Sequence, residues 1–156
     1  MRVTAATTED DFAAARALIE EYAASLEIDL GFQGFDEEIA HFPRGYSPPD
    51  GAVFVAWEGD EPAGVVALRR YRGSVCEMKR LYVRPAHRGN GLGRKLSEEV
   101  IAAARRLGYT TMRLDTLPTM DAAIGLYRAL GFRDIPAYRF NPVADAHYME
   151  LELAPG

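Results

Sequence analysis

The chain has 156 residues, enough for one domain with a sizeable core. It is 48% hydrophobic and 26% charged, ordinary for a soluble globular protein, and holds no apolar run long enough to span a bilayer. The formal net charge of −5 counts against a nucleic-acid binder and accommodates a cationic substrate.

In chain order, residues 3–5 read as a short first strand. Thr8 and Asp11 have the spacing of a capping box, and Phe12, Ala15, Ile19, Tyr22 and Leu26 then recur with helical period. A second short helix is expected over 36–42, then a loop from Pro43 to Gly51. Residues 53–57 and 63–71 read as a hairpin, and the turn at 72–74 leads back into an antiparallel strand over 75–83. The run Arg88-Gly89-Asn90-Gly91-Leu92-Gly93-Arg94-Lys95 comes next. Leu92, Leu96, Val100, Ala103 and Leu107 mark the inner face of the next helix, closed by Gly108. Residues 110–115 form a strand reached by a right-handed crossover, expected beside the 75–83 strand. A helix over 119–130 closes at Gly131, a short strand is expected near 133–135, and a last strand covers 147–153. The order βααβββαβαβ, with that extra strand, describes a single α/β (α+β) domain over 1–156.

A strand, a glycine-rich turn and a helix N-terminus together make an anion site, because unpaired amides and the helix dipole converge there. Arg94 and Lys95 in the first turn reinforce it. Spacing narrows the guest. Lys95 is followed by Leu96, so no hydroxyl is placed for Mg²⁺ as in a mononucleotide P-loop, and the third glycine comes one residue early for a dinucleotide fingerprint. The pattern R-x-x-G-x-G over Arg88, Gly91 and Gly93 resembles the pyrophosphate motif of the GCN5-related N-acetyltransferases, the GNAT family. A second block, Ala123-x-x-Leu126-Tyr127 followed by Gly131-Phe132, is similar to another signature of that family. The element order from 53 to 153 also matches.

The resemblance implies a mixed, mostly antiparallel sheet flanked by helices, with acetyl-CoA as co-substrate and no metal. It places the cofactor on Leu81, Tyr82 and Val83 and on the turn Arg88, Gly89, Asn90, Gly91, Leu92, Gly93 and Arg94. Amides at Leu81 and Val83 would bind the acetyl carbonyl and the pantetheine arm, with the logic of an oxyanion hole. It also implies a bulge in the 75–83 strand, and the sequence is consistent with one: charged and apolar residues mix on both of its faces. Glu77 matches the position of a general base, which an amine protonated at neutral pH requires. The alternative is an ion pair with Lys79 or Arg80. Tyr127 matches a proton donor to the leaving thiolate; the alternative is a core tyrosine, since it shares a helix face with Ala123 and Leu130. Met120 stands where the family often has asparagine.

His41, His87 and His147 lack metal-ligand spacing, and the single Cys76 reads as a small buried residue in a reducing compartment. The N-terminus lacks the apolar core of a secretory signal, so a cytoplasmic location is expected. Asp115, at a strand end, is placed either to orient an amine or to cap the next turn. Phe32, Tyr46, Tyr138 and Phe140 lie in loops suited to covering an acceptor. The expected activity is acetyl transfer to a primary amine of a small molecule or peptide, by direct attack in a ternary complex. The competing reading is a non-catalytic acyl-CoA-binding sensor or docking module. Neither membrane nor nucleic acid is an expected partner, and the resemblance leaves a homodimer open.

Overall fold

A computed structural model describes residues 1–26, 34–117, 120–139 and 145–153. Seven strands form one sheet in the order β1-β2-β3-β4-β5-β7-β6. The strands are β1 (Arg2–Ala5), β2 (Ala52–Glu58), β3 (Glu61–Arg72), β4 (Val75–Val83), β5 (Thr111–Thr116), β6 (Arg133–Ile135) and β7 (His147–Glu152). The helices are α1 (Glu9–Ser25), α2 (Phe35–Ala40), α3 (Leu92–Arg106) and α4 (Asp121–Ala129). Among the described residues only β4 and β5 pair in parallel; every other pair is antiparallel. This is the expected mixed architecture.

Alternation along the central strands divides the core between the two faces. Val53, Val55, Val65 and Ala67 pack under α1 through Ala15, Leu18 and Ile19. Phe54, Val66, Leu68, Cys76 and Met78 pack under α3 through Leu92, Leu96 and Val100, and this cluster extends to Tyr127 of α4. The capping box forms: the Asp11 amide donates to Thr8 Oγ1 at 3.1 Å, and the Thr8 amide donates to Asp11 Oδ2 at 3.2 Å. Leu107 departs from the expected α3 face and is 42% exposed, because the helix has ended and the chain turns away at Gly108. The helix read as 119–130 begins at Asp121; Thr119 lies outside the described residues, as does Phe32.

Two irregularities of β4 set the geometry around it. Between Lys79 and Tyr82 the strand spends three steps where β3 spends two, from Ala67 to Val65. That is a bulge, and Arg80 within it has φ 62°. The bulge inverts the alternation: Cys76 and Met78 face α3, whereas Tyr82 joins the α1 cluster and Leu81 and Val83 turn toward α3. The second irregularity is that β4 pairs with β5 only at Val75, Cys76 and Glu77. Beyond Glu77 the two strands part.

Candidate active site

On the α3 face the end of β4, the turn after it, the start of α3 and α4 enclose a cavity of about 380 Å³. Leu81, Tyr82, Val83, Arg88, Gly89, Gly91, Leu92, Gly93 and Arg94 line it, so the structure brings together nearly all the cofactor residues expected from the sequence. Asn90 is not in the lining; it sits exposed on the turn. His87, Ala122, Ala123 and Leu126 complete the wall, and sequence reasoning had not singled them out as lining.

The turn is built for close approach. Gly91 is the N-cap of α3 with φ 74°, a conformation that would strain any other residue, and no side chain caps the helix. The first turns of α1, α2 and α4 carry acidic residues; that of α3 carries none. It carries Arg94 and Lys95 instead, an arrangement that becomes favourable once an anion sits on the free amides. Arg88 is anchored by its Nε donating to the Val83 carbonyl at 2.9 Å, and its guanidinium stacks over Tyr82.

The opposite face of β4, β5 and β7 is polar. Register places Arg69 against Glu77, Glu77 against Arg113, Arg113 against Glu150 and Asp115 against Tyr148. Glu77 is fully buried, and both of its oxygens are engaged. Oε1 accepts from Arg69 Nε at 3.0 Å, while Oε2 accepts from the Tyr138 hydroxyl at 2.8 Å and from Arg139. Burial alone would raise the Glu77 pKa, but Lys79, Arg69 and Arg139 together outweigh it and hold the carboxyl below its usual range. A carboxylate so occupied and so acidic is a poor proton acceptor. The expected pairing with Lys79 or Arg80 is also displaced: Arg69 and Arg139 are the direct partners. Arg80 forms a two-point clamp on Glu38 of α2, with both contacts at 3.0 Å, which ties the bulge to the second helix.

Asp115 stands where the strands part. Its side chain is 4% exposed; Oδ1 lies 3.9 Å from Lys79 Nζ, and Oδ2 is buried without a hydrogen bond among the described residues. Burial, reinforced by the Arg80 charge, pushes the Lys79 ammonium down to about 8. Tyr127 is buried, and desolvation raises its phenol well above the ordinary value, with Tyr22 and Asp115 adding to the effect. Tyr22 comes from α1 and Tyr127 from α4, and the Asp115 charge raises the pKa of both, after desolvation as the main cause. Met120 is the N-cap residue of α4 and provides no side-chain cap; its sulfur lies 3.5 Å from Thr116 Oγ1. Tyr46 and Tyr138 both border the polar face, whereas Phe140 lies outside the described residues.

Residues 15–132 match the model of the acetyltransferase (GNAT) family. The chain belongs to that family. It is 43% identical over 147 residues to an uncharacterised N-acetyltransferase of Schizosaccharomyces pombe, covering 93% of this chain and 88% of the relative. A protein of Escherichia coli, also described as an uncharacterised N-acetyltransferase, is 32% identical over 133 residues, 83% of this chain and 80% of its own. Among solved structures, a Salmonella typhimurium protein assigned as an acetyltransferase and determined with its cofactor acetyl-CoA superposes with a TM-score of 0.68 at 25% identity, over 97% of this chain and 94% of that one. This GNAT protein is therefore an N-acetyltransferase of a family that uses acetyl-CoA. No described helix is long and apolar enough to cross a membrane.

Proposed function

We propose that this GNAT protein transfers the acetyl group of acetyl-CoA to a primary amine by direct attack within a ternary complex. The observation that carries the reading is the gap between β4 and β5. The glycine-turn cavity is lined by the end of β4 on one face and the buried polar cluster lies on the other, so a donor and an acceptor would meet through the parted strands.

The pyrophosphate sits on the α3 N-terminus, at Arg88, Gly89, Asn90, Gly91, Leu92, Gly93 and Arg94. The pantetheine arm runs along the unpaired edge of β4 at Leu81, Tyr82 and Val83, where backbone amides meet the thioester oxygen. The amine nitrogen attacks the thioester carbon; the N–C bond forms and the C–S bond breaks. The acceptor ammonium first gives up one proton. We assign that proton to Asp115, whose Oδ2 is unoccupied, rather than to the fully engaged Glu77. The second proton, from the tetrahedral intermediate, ends on the CoA sulfur. Tyr127 helps by hydrogen bonding to the leaving thiolate, and its raised pKa keeps it neutral and able to donate.

The test is thiol release from acetyl-CoA across an amine panel, beside the melting shift caused by CoA. Stabilisation by CoA with turnover of at least one amine is expected. Stabilisation with no turnover of any amine would leave a non-catalytic acyl-CoA-binding module. No stabilisation at all would remove the cofactor assignment.

A further inference from the structure

Among the described residues three buried side-chain polar atoms have no hydrogen bond, Tyr46 Oη, Asp115 Oδ2 and Arg139 Nε, and the last two are of opposite kind. Asp115 Oδ2 is an acceptor with nothing to accept from, and Arg139 Nε is a donor with nothing to donate to. Tyr148, the cross-strand neighbour of Asp115, donates its hydroxyl to the Arg139 carbonyl at 2.9 Å, which puts both residues on the same face of the sheet. A buried polar group left without a partner is costly, so native structures seldom keep one without a use.

The charges around this pair are also unbalanced. Two guanidiniums, Arg69 and Arg139, share the one carboxylate of Glu77. Two more, Arg113 and Arg133, share Glu150. Lys79 faces Asp115, one against one. These named groups carry a positive excess in a chain whose formal net charge is −5. Nearby, His41, Arg44 and Arg69 line a polar cavity of about 430 Å³ with Glu37, Glu38 and Tyr46. The acidic composition suggests a simple cation as substrate; the local arrangement points elsewhere.

From this geometry we infer that the acceptor is an amine bearing its own carboxylate a few bonds away, a free amino acid in chemical class. Its ammonium meets Asp115 Oδ2 and its carboxylate meets Arg139 Nε within the cationic excess. Both orphaned atoms are then satisfied by one zwitterion. A peptide N-terminus would not do this, because its neighbouring carboxyl is an amide. The inference rests on the acetyl-transfer reading and narrows its acceptor.

The experiment compares phenylalanine, phenylalaninamide and phenethylamine as acceptors for the intact enzyme with acetyl-CoA. A hydrogen bond to a charged group contributes enough to favour the acid by about 10- to 100-fold in kcat/KM. That preference, shrinking in Arg139→Lys, is the expected result. Equal or better turnover of the two uncharged-end amines overturns the inference, and the wild-type comparison stands even where the variant does not fold. If none of the three is turned over, calorimetry of N-acetylphenylalanine and N-acetylphenethylamine with the CoA-bound enzyme decides. Tighter binding of the acid supports the inference even as the catalytic reading falls; equal or weaker binding of the acid overturns it.

Discussion

At the scale of single residues, Glu77 and Tyr127 separate by what surrounds them. The lowered pKa of Glu77 means that the folded protein holds its carboxylate more strongly than the unfolded chain does. Its contribution to stability is therefore complete above the ordinary value of 4.5 and is lost as pH falls through the lower folded value. Glu77→Gln leaves Arg69 and Arg139 without a counter-charge. Losing one partner of a buried pair costs about 3–5 kcal/mol, and less here because both arginines reach solvent. We expect a lower melting temperature, a shallower acid limb of stability and an unaltered pH dependence of kcat/KM. A slow variant that melts normally and recovers at high pH would return the base role to Glu77. Tyr127→Phe tests the donor. Turnover should fall by about 10²-fold, as for general acid–base groups, while the CoA-induced melting shift stays the same. Full activity would make Tyr127 a core residue alone.

At the scale of elements, the turn before α3 and the bulge in β4 were legible for different reasons. The turn announces itself by glycines and cations in the wrong place for a bare helix start. The bulge shows only as a failure of alternation between Cys76 and Val83, and side-chain pattern alone could not locate it at Arg80. The partners of Glu77 were beyond reach. Arg69 lies one strand away, and Tyr138 and Arg139 come from a loop 61 and 62 positions on, with no periodicity to connect them. Asp115 stayed ambiguous for the same reason: only the packed structure shows that its second oxygen lacks a hydrogen bond among the described residues. The turn also gives the cleanest test of cofactor binding. Substitution at Gly91 would confuse strain with lost binding, because its φ is positive. At Gly93 a new Cβ would meet Leu126 and Val83 at 3.6 and 3.9 Å, ordinary contacts. Gly93→Asp should therefore fold, helped by the dipole, yet lose the CoA-induced stabilisation, about 2.7 kcal/mol at a hundredfold excess over Kd in the wild type. An unchanged shift in a melting assay would remove the phosphate from this turn.

For the whole molecule, the sheet acts as a partition. One face buries apolar side chains under α3 and α4 and is where the cofactor is proposed to bind. The other is apolar beneath α1 but polar along β4, β5 and β7, where the acceptor is proposed to bind. Element order and binary pattern are enough to establish such a partition, because period-2 alternation assigns each strand residue to a face. They do not say where charge will collect. The chain is acidic overall, yet Arg69, Arg113, Arg133 and Arg139 gather around Glu77 and Glu150.

The three pairs that hold β4 to β5 have a mechanical consequence. They make the sheet two half-sheets, β1-β2-β3-β4 and β5-β7-β6, joined at one end like the arms of a clothes-peg. An extended arm lying in the open end would replace the missing ladder and act as a temporary strand supplied by the ligand. CoA should then slow amide hydrogen exchange along 78–83 and 114–116, well away from the phosphate turn, while β1 and β2 exchange as before. Protection confined to the turn would mean that the gap stays open with cofactor bound.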